Sequence, residues 1–123
     1  MKHFPPNLRK GWNKYGAKKA TCLQGHTHDS RLEARTCDDL TSRERRGEIS
    51  NLQRQVKFRF VIDGRDVKLK NGHVAGVTVD FQFFEGVKNV VVETKGFVVR
   101  DWPLRRAIFT TLFPHIEFRE VNR

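Results

Sequence analysis

Residues 77–96 read VTVDFQFFEGVKNVVVETKG, and the first half of this stretch alternates Val77, Val79, Phe81 and Phe83 with Thr78, Asp80 and Gln82. Such a period of two is the signature of a β-strand. Residues 90–95 continue the pattern, setting Val91, Glu93 and Lys95 on one side and Val90, Val92 and Thr94 on the other. The turn between the two arms falls within residues 85–89. A two-residue turn at Glu85-Gly86 pairs Asp80 with Val91, whereas a four-residue loop pairs it with Glu93. Both registers place Asp80, Glu93 and Lys95 on the same face of the predicted hairpin.

The flanking segments carry other periods. Residues 30 to about 46 predict a helix opened by Asp29 or Ser30 as cap and closed by Gly47. At about 100° per residue, Leu32, Thr36, Cys37 and Leu40 share a sector, and Glu33 lies in its middle. Ser30-x-x-Glu33 fits a capping box, in which the glutamate reaches back to the cap's backbone amide. That accounts for the spacing but not for a carboxylate aimed at the core, where an unpaired charge costs several kcal/mol. Residues 47–52 read as a connector. Val56, Phe58, Phe60 and Ile62 then alternate with Gln55, Lys57, Arg59 and Val61 as a first strand. Asp63-Gly64 and Asn71-Gly72 are turn signals, so residues 63–76 are expected to form a loop or small excursion. Pro103 suits the first turn of a second helix, along which Leu104, Ala107, Ile108, Thr111 and Leu112 recur at helical spacing. Phe113-Pro114 ends that helix, and residues 115–121 read as a last strand.

With 123 residues the chain has room for one core, and 10 Phe among 37% hydrophobic residues mark a globular domain rather than a disordered tail. Charge changes the picture more. Lys and Arg number 24 against 14 Asp and Glu, a formal net charge of +10, which points to a polyanionic partner, nucleic acid before membrane. No apolar run approaches a membrane span and the first residues lack a signal-peptide apolar region, so a cytosolic protein is expected. Residues 1–28 contain no Asp or Glu; Lys10, Lys14, Lys18 and Lys19, with Trp12 and Tyr15 between them, suit phosphate contacts and base stacking. The alternative is a solvated terminus. The chain is thus divided into a basic arm, 1–28, and a folded domain, 29–123.

Cys22, His26, His28 and Cys37 are residue types that ligate zinc, but C-x3-H-x-H-x8-C matches no standard zinc module and its last member falls inside the first helix. An irregular loop or short hairpin with both cysteines reduced is the expectation here.

An acid on one strand, followed on its neighbour by an acid and a lysine two apart, resembles the D…E-x-K motif of the PD-(D/E)XK nuclease superfamily. The order helix, strand, strand, strand, helix, strand also resembles that superfamily's core. More narrowly, DSRLEAR, EISNLQRQVKF, VDFQFF, VVETKG and HIEFREV look like small phage-encoded endonucleases related to phage Holliday junction resolving enzymes. The resemblance covers about residues 29–121. It implies an α/β (α+β) restriction-endonuclease-like fold of order α-β-β-β-α-β, with a mixed central sheet flanked by helices. By position it implies that Glu33 is the first helix's acid, Asp80 and Glu93 the motif's two acids, Lys95 its lysine and Gln55 a supporting glutamine. Val-Thr-Val stands before Asp80 where the motif has proline, a departure common in the superfamily.

These types belong together for a chemical reason. Phosphodiester hydrolysis needs water deprotonated near neutral pH and relief of charge on the phosphorus, both of which hard divalent cations supply. Mg²⁺ or Mn²⁺ takes oxygen ligands, for which the expected set is Asp80, Glu93, the Thr94 backbone carbonyl and Glu33. The resemblance thus implies a metal-dependent DNA endonuclease, structure-selective or Holliday junction resolvase-like, working as a homodimer in phage or prophage DNA metabolism in the bacterial host cytosol. Lys10, Lys14, Lys18, Lys19, Arg31, Arg100, Arg105 and Arg106 are the expected DNA contacts. The alternative function is a nucleic-acid-binding module on the same fold that does not cut. Without the resemblance, the charged trio reads as an exposed ion-pair ladder worth under about 1 kcal/mol.

Overall fold

The alternating stretch folds as a hairpin of two strands, Gly76–Glu85 and Lys88–Lys95. Pairing runs from Glu85↔Lys88 to Phe81↔Val92, so the turn is Gly86-Val87. Gly86 has φ 65°, the positive value that a primed hairpin turn requires. Continued by one step, this register sets Asp80 across from Glu93. It is the second of the two alignments considered from sequence, reached by a tighter turn.

The computed structural model describes residues 19–95 and 100–122. In chain order their elements are β1 (Ala20–Thr21), β2 (Thr27–His28), α1 (Arg31–Arg45), β3 (Ser50–Arg59), β4 (Val61–Ile62), β5 (Arg65–Asp66), β6 (Gly76–Glu85), β7 (Lys88–Lys95), α2 (Trp102–Leu112) and β8 (Ile116–Asn122). The central sheet has the order β3-β6-β7-β8, antiparallel except where β8 runs parallel to β7. A parallel neighbour needs a crossover, and α2 supplies it. Among the described residues the fold is α+β, a mixed sheet with two helices.

Two apolar clusters hold the helices to the sheet. Ala34, Cys37 and Leu40 of α1 pack with Phe81, Phe83, Val90 and Val92, while Trp102 and Phe109 of α2 pack with Phe60, Val77, Val79, Val91 and Ile116. Because Val91 points away from Val90 and Val92 along β7, the two clusters lie on opposite faces of that strand. On β6 the expected single row divides: Val77 and Val79 join the α2 cluster, Phe81 and Phe83 the α1 cluster. The change falls at Asp80. In the adjacent strand Gln55 has φ 54°, in the left-handed region that a non-glycine strand residue seldom occupies. A kink running through both strands at this level breaks the simple alternation.

Two boundaries differ from the sequence expectation. Strand β3 starts at Ser50 within the expected connector, because a register shift between Ser50 and Gln53, with Asn51 at φ 56°, hides its beginning from a period-two reading. At its other end Val61 and Ile62 leave the sheet to pair with Arg65 and Asp66. Asp63 and Gly64 turn that hairpin at φ 55° and 75°, two positive angles as a type I′ turn needs. Ile62 is consequently 51% exposed rather than on the apolar face.

Residues 1–18, including Lys10, Lys14 and Lys18, lie outside the described residues. From Ala20 onward the expected arm is part of the folded body: β1 and β2 pair as Ala20↔His28 and Thr21↔Thr27, and Cys22 is buried in the α1 cluster. Among the described residues no helix is long and apolar enough to cross a membrane.

One ion-pair node ties three elements together. Glu85, at the end of β6, accepts Arg119 Nη2 of β8 on Oε1 at 2.8 Å and Arg43 Nη2 of α1 on Oε2 at 2.7 Å. Arg119 and then Arg43 hold its carboxyl down from 4.5 to about 2. A carboxyl depressed in the folded state stabilises the fold fully above its unfolded value, and that contribution fades as pH falls through the folded one. Glu85→Gln is therefore expected to melt below the wild type at pH 7, with the gap closing between pH 4.5 and about 2. Thermal unfolding across this range checks it; a gap independent of pH would remove the node's role.

Candidate functional site

Helix α1 begins where Ser30, in extended conformation, accepts the Glu33 amide on its Oγ at 3.1 Å. This is half of the capping box. The other half is not made, because the Glu33 carboxylate points inward instead of returning to Ser30. Its Oε2 lies 2.7 Å from His28 Nδ1 and accepts Gln55 Nε2 at 3.3 Å. Glu33 is only 6% exposed. Burial, then the negative charge of Asp80, push its carboxyl up to about 8.

Asp80 stands where β6 and β7 stop pairing. Past Phe81↔Val92 the ladder is replaced by side chains: the Thr94 amide and hydroxyl donate to Asp80 Oδ2 at 2.8 and 2.7 Å, and the Asp80 amide donates to Glu93 Oε1 at 3.1 Å. Side-chain oxygens thus satisfy backbone donors that separating strands would otherwise leave unpaired. Asp80 Oδ1 accepts Gln55 Nε2 at 3.3 Å. One amide therefore bridges Glu33 on the helix and Asp80 on the sheet.

The plain face expected for Asp80, Glu93 and Lys95 is altered by this arrangement. The Asp80 carboxylate is tied to the Thr94 hydroxyl, on the Val90 and Val92 row, while Glu93, buried at 6% exposure, reaches Asp80 through its backbone. The kink at Asp80 and Gln55 is the physical reason. Lys95 lies in β7 alongside Asn122 of β8; its side chain is outside the described residues. Gln55, presented from its left-handed backbone, contacts both Glu33 and Asp80.

Thr94, expected in the site for its carbonyl, also anchors Asp80 through its amide and hydroxyl. His28 is the participant that sequence reasoning misses, because nothing in H-x4-E spacing signals that it holds Glu33. Glu33, His28 and Gln55 join His26, Thr27, Asp29 and Arg54 in lining a surface cleft. Of the expected DNA contacts, Lys19, Arg31 and Arg100 are exposed. Arg105 is engaged within the fold, donating to Asp101 Oδ2 at 2.8 Å and to the Gly76 carbonyl. Arg106 lies 3.4 Å from Glu120 and its guanidinium sits 5.1 Å over the Phe118 ring.

Comparison with known proteins places the chain in a family. The profile described as "Protein of unknown function (DUF1064)" matches residues 12–123, so the chain belongs to that family. No curated protein and no solved structure matches it.

Proposed function

We propose that this member of the DUF1064 family is a divalent-metal-dependent DNA endonuclease of the PD-(D/E)XK type, selective for branched DNA. The observation that carries the reading is the bridge from Glu33 through Gln55 to Asp80 and on to Thr94, at the level where two strands open. The succession α1, β3, β6, β7, α2, β8, with β8 parallel to β7, supports the restriction-endonuclease-like order expected from sequence.

The residues present fit a hard cation. Glu33 and Asp80 are two carboxylates sharing one amide donor, and their mutual repulsion inside the fold is the kind a divalent ion offsets. Asp80, Glu33, Glu93 and the Thr94 carbonyl are the oxygens that would hold Mg²⁺ or Mn²⁺. When bound, the ion supplies an acidified water and neutralises charge on the phosphate. The protein's own share is positional. Gln55 keeps the two carboxylates at a fixed separation, Thr94 fixes Asp80 Oδ2, and His28 fixes Glu33. Lys95 holds the attacking water or offsets phosphate charge.

Affinity for DNA comes from the net charge of +10, through exposed Lys19, Arg31 and Arg100 and the basic residues 1–18. Cutting both strands at a four-way branch calls for a twofold homodimer whose sites straddle it. Such an enzyme belongs to phage or prophage DNA metabolism in the cytosol of a bacterial host.

The test is incubation of the full chain with labelled linear, flapped and four-way DNA, with and without Mg²⁺. Cleavage that requires the cation and favours branched over linear substrates is expected. Binding without cleavage on every substrate would replace this reading with a non-cutting nucleic-acid-binding module. Equal cutting of linear and four-way DNA by a monomer would retain the nuclease and remove the resolvase.

A further inference from the structure

We propose that Cys22, His26, His28 and Cys37 hold a structural zinc ion at the base of the amino-terminal hairpin, a second metal site distinct in chemistry from the carboxylates. The four side chains each offer one ligand atom, and those atoms all lie within 4.8 Å of one another. The two sulfurs stand 3.5 Å (Cys22) and 3.7 Å (Cys37) from His26 Nδ1. With Zn–S near 2.3 Å and Zn–N near 2.0–2.1 Å, tetrahedral coordination sets sulfur and nitrogen about 3.6 Å apart. The spacing in the chain resembles no zinc module because the ligands come from a hairpin and from the helix it folds onto.

His28 gives the independent sign of a ligand. It is 5% exposed, its Nδ1 is engaged with Glu33, and its Nε2 is buried without a hydrogen-bond partner. Donation from Nδ1 to a carboxylate leaves the Nε2 lone pair bare, the tautomer that a metal-bound histidine adopts when an outer carboxylate orients it. A buried polar atom left without a partner is costly, and a cation removes that cost. Cys37 shows a matching outer contact, with Arg54 Nε donating to its Sγ at 3.1 Å.

The local backbone explains why a cross-link is needed. Strands β1 and β2 have two residues each, and their loop is closed by Cys22 N–H to the His26 carbonyl at 2.9 Å and Gly25 N–H to the Cys22 carbonyl at 3.0 Å. A hairpin this short does not hold itself in water. Zinc would pin it to α1 at Cys37 and, through His28, fix the orientation of Glu33. Two thiolates and two imidazoles select zinc over the hard cation proposed for Asp80 and Glu93, so the two sites do not compete for one metal.

Zinc content of the full chain, purified under reducing conditions, tests this without reference to cleavage. One zinc per chain is expected, and cobalt in its place should give thiolate-to-metal charge-transfer absorption. Stripping zinc with a chelator should lower Tm, and Zn²⁺ but not Mg²⁺ should restore it. His26→Gln, which leaves both buried cysteines in place, should weaken zinc binding at least tenfold. Wild-type protein that retains no zinc and takes up cobalt without the charge-transfer band overturns the site; so does full zinc affinity in His26→Gln. Zinc binding in a protein that cuts no DNA would leave this site standing while the nuclease reading fails.

Discussion

Asp80→Asn is expected to lower cleavage on the order of a thousandfold, the loss typical when one preorganised charge-handling group is removed. The fold should survive the change. An asparagine oxygen can still accept the Thr94 amide and hydroxyl that now bind Oδ2, while Gln55 Nε2 loses its Oδ1 acceptor, a loss of about 1 kcal/mol. DNA affinity should hold or rise slightly, because a negative charge is withdrawn from a chain whose net charge of +10 is the proposed source of phosphate binding. Three measurements separate the outcomes: cleavage rate at saturating Mg²⁺, Tm, and binding of four-way DNA in Ca²⁺ or EDTA. A rate within a fewfold of wild type would remove Asp80 from the chemistry. A collapse of Tm along with the rate would instead assign it to closing the gap between β6 and β7.

The site was legible from sequence where short-range rules govern it. Ser30 and Gly47 bracket α1 by cap chemistry, and period two exposes β6 and β7 because valine and phenylalanine fill their buried positions almost without interruption. What stayed hidden depends on backbone excursions and on contacts distant in the chain. Positive φ at Asn51 and Gln55 is invisible in residues that are not glycine, so neither the start of β3 nor the change of row at Asp80 was readable. Glu33 stands out in the sequence as a carboxylate on an apolar face, yet its partner His28 arrives through a hairpin that folds across the helix start. The same folding gathers Cys22, His26, His28 and Cys37, which a spacing rule built on other modules dismisses. Pattern rules read along the chain; these features are made across it.

Glu33→Gln addresses the one position where a purely structural account competes directly with the chemical one. If Glu33 served only as a helix cap, glutamine would replace it without consequence, since glutamine serves at that position. The geometry leaves little for a cap to explain: the Ser30 Oγ contact comes from the Glu33 backbone amide, which the substitution retains, and the carboxylate itself faces His28 and Gln55. The new amide oxygen can still accept from His28 Nδ1, so both the hairpin and the zinc ligand's orientation should persist. With its carboxyl raised to about 8, Glu33 is largely protonated near pH 7 in the magnesium-free protein, so glutamine should leave Tm there unchanged and make the variant the more stable only at higher pH, where the carboxylate charges beside Asp80. Cleavage should nevertheless fall at least about a hundredfold, because a neutral amide cannot supply the charge that helps bind and balance a divalent ion. The decisive pattern is this separation of rate from stability, read together with a weaker calorimetric Mg²⁺ affinity and an unaltered zinc content. Wild-type rate and Mg²⁺ affinity in the variant would return Glu33 to the helix start and leave the metal to Asp80 and Glu93.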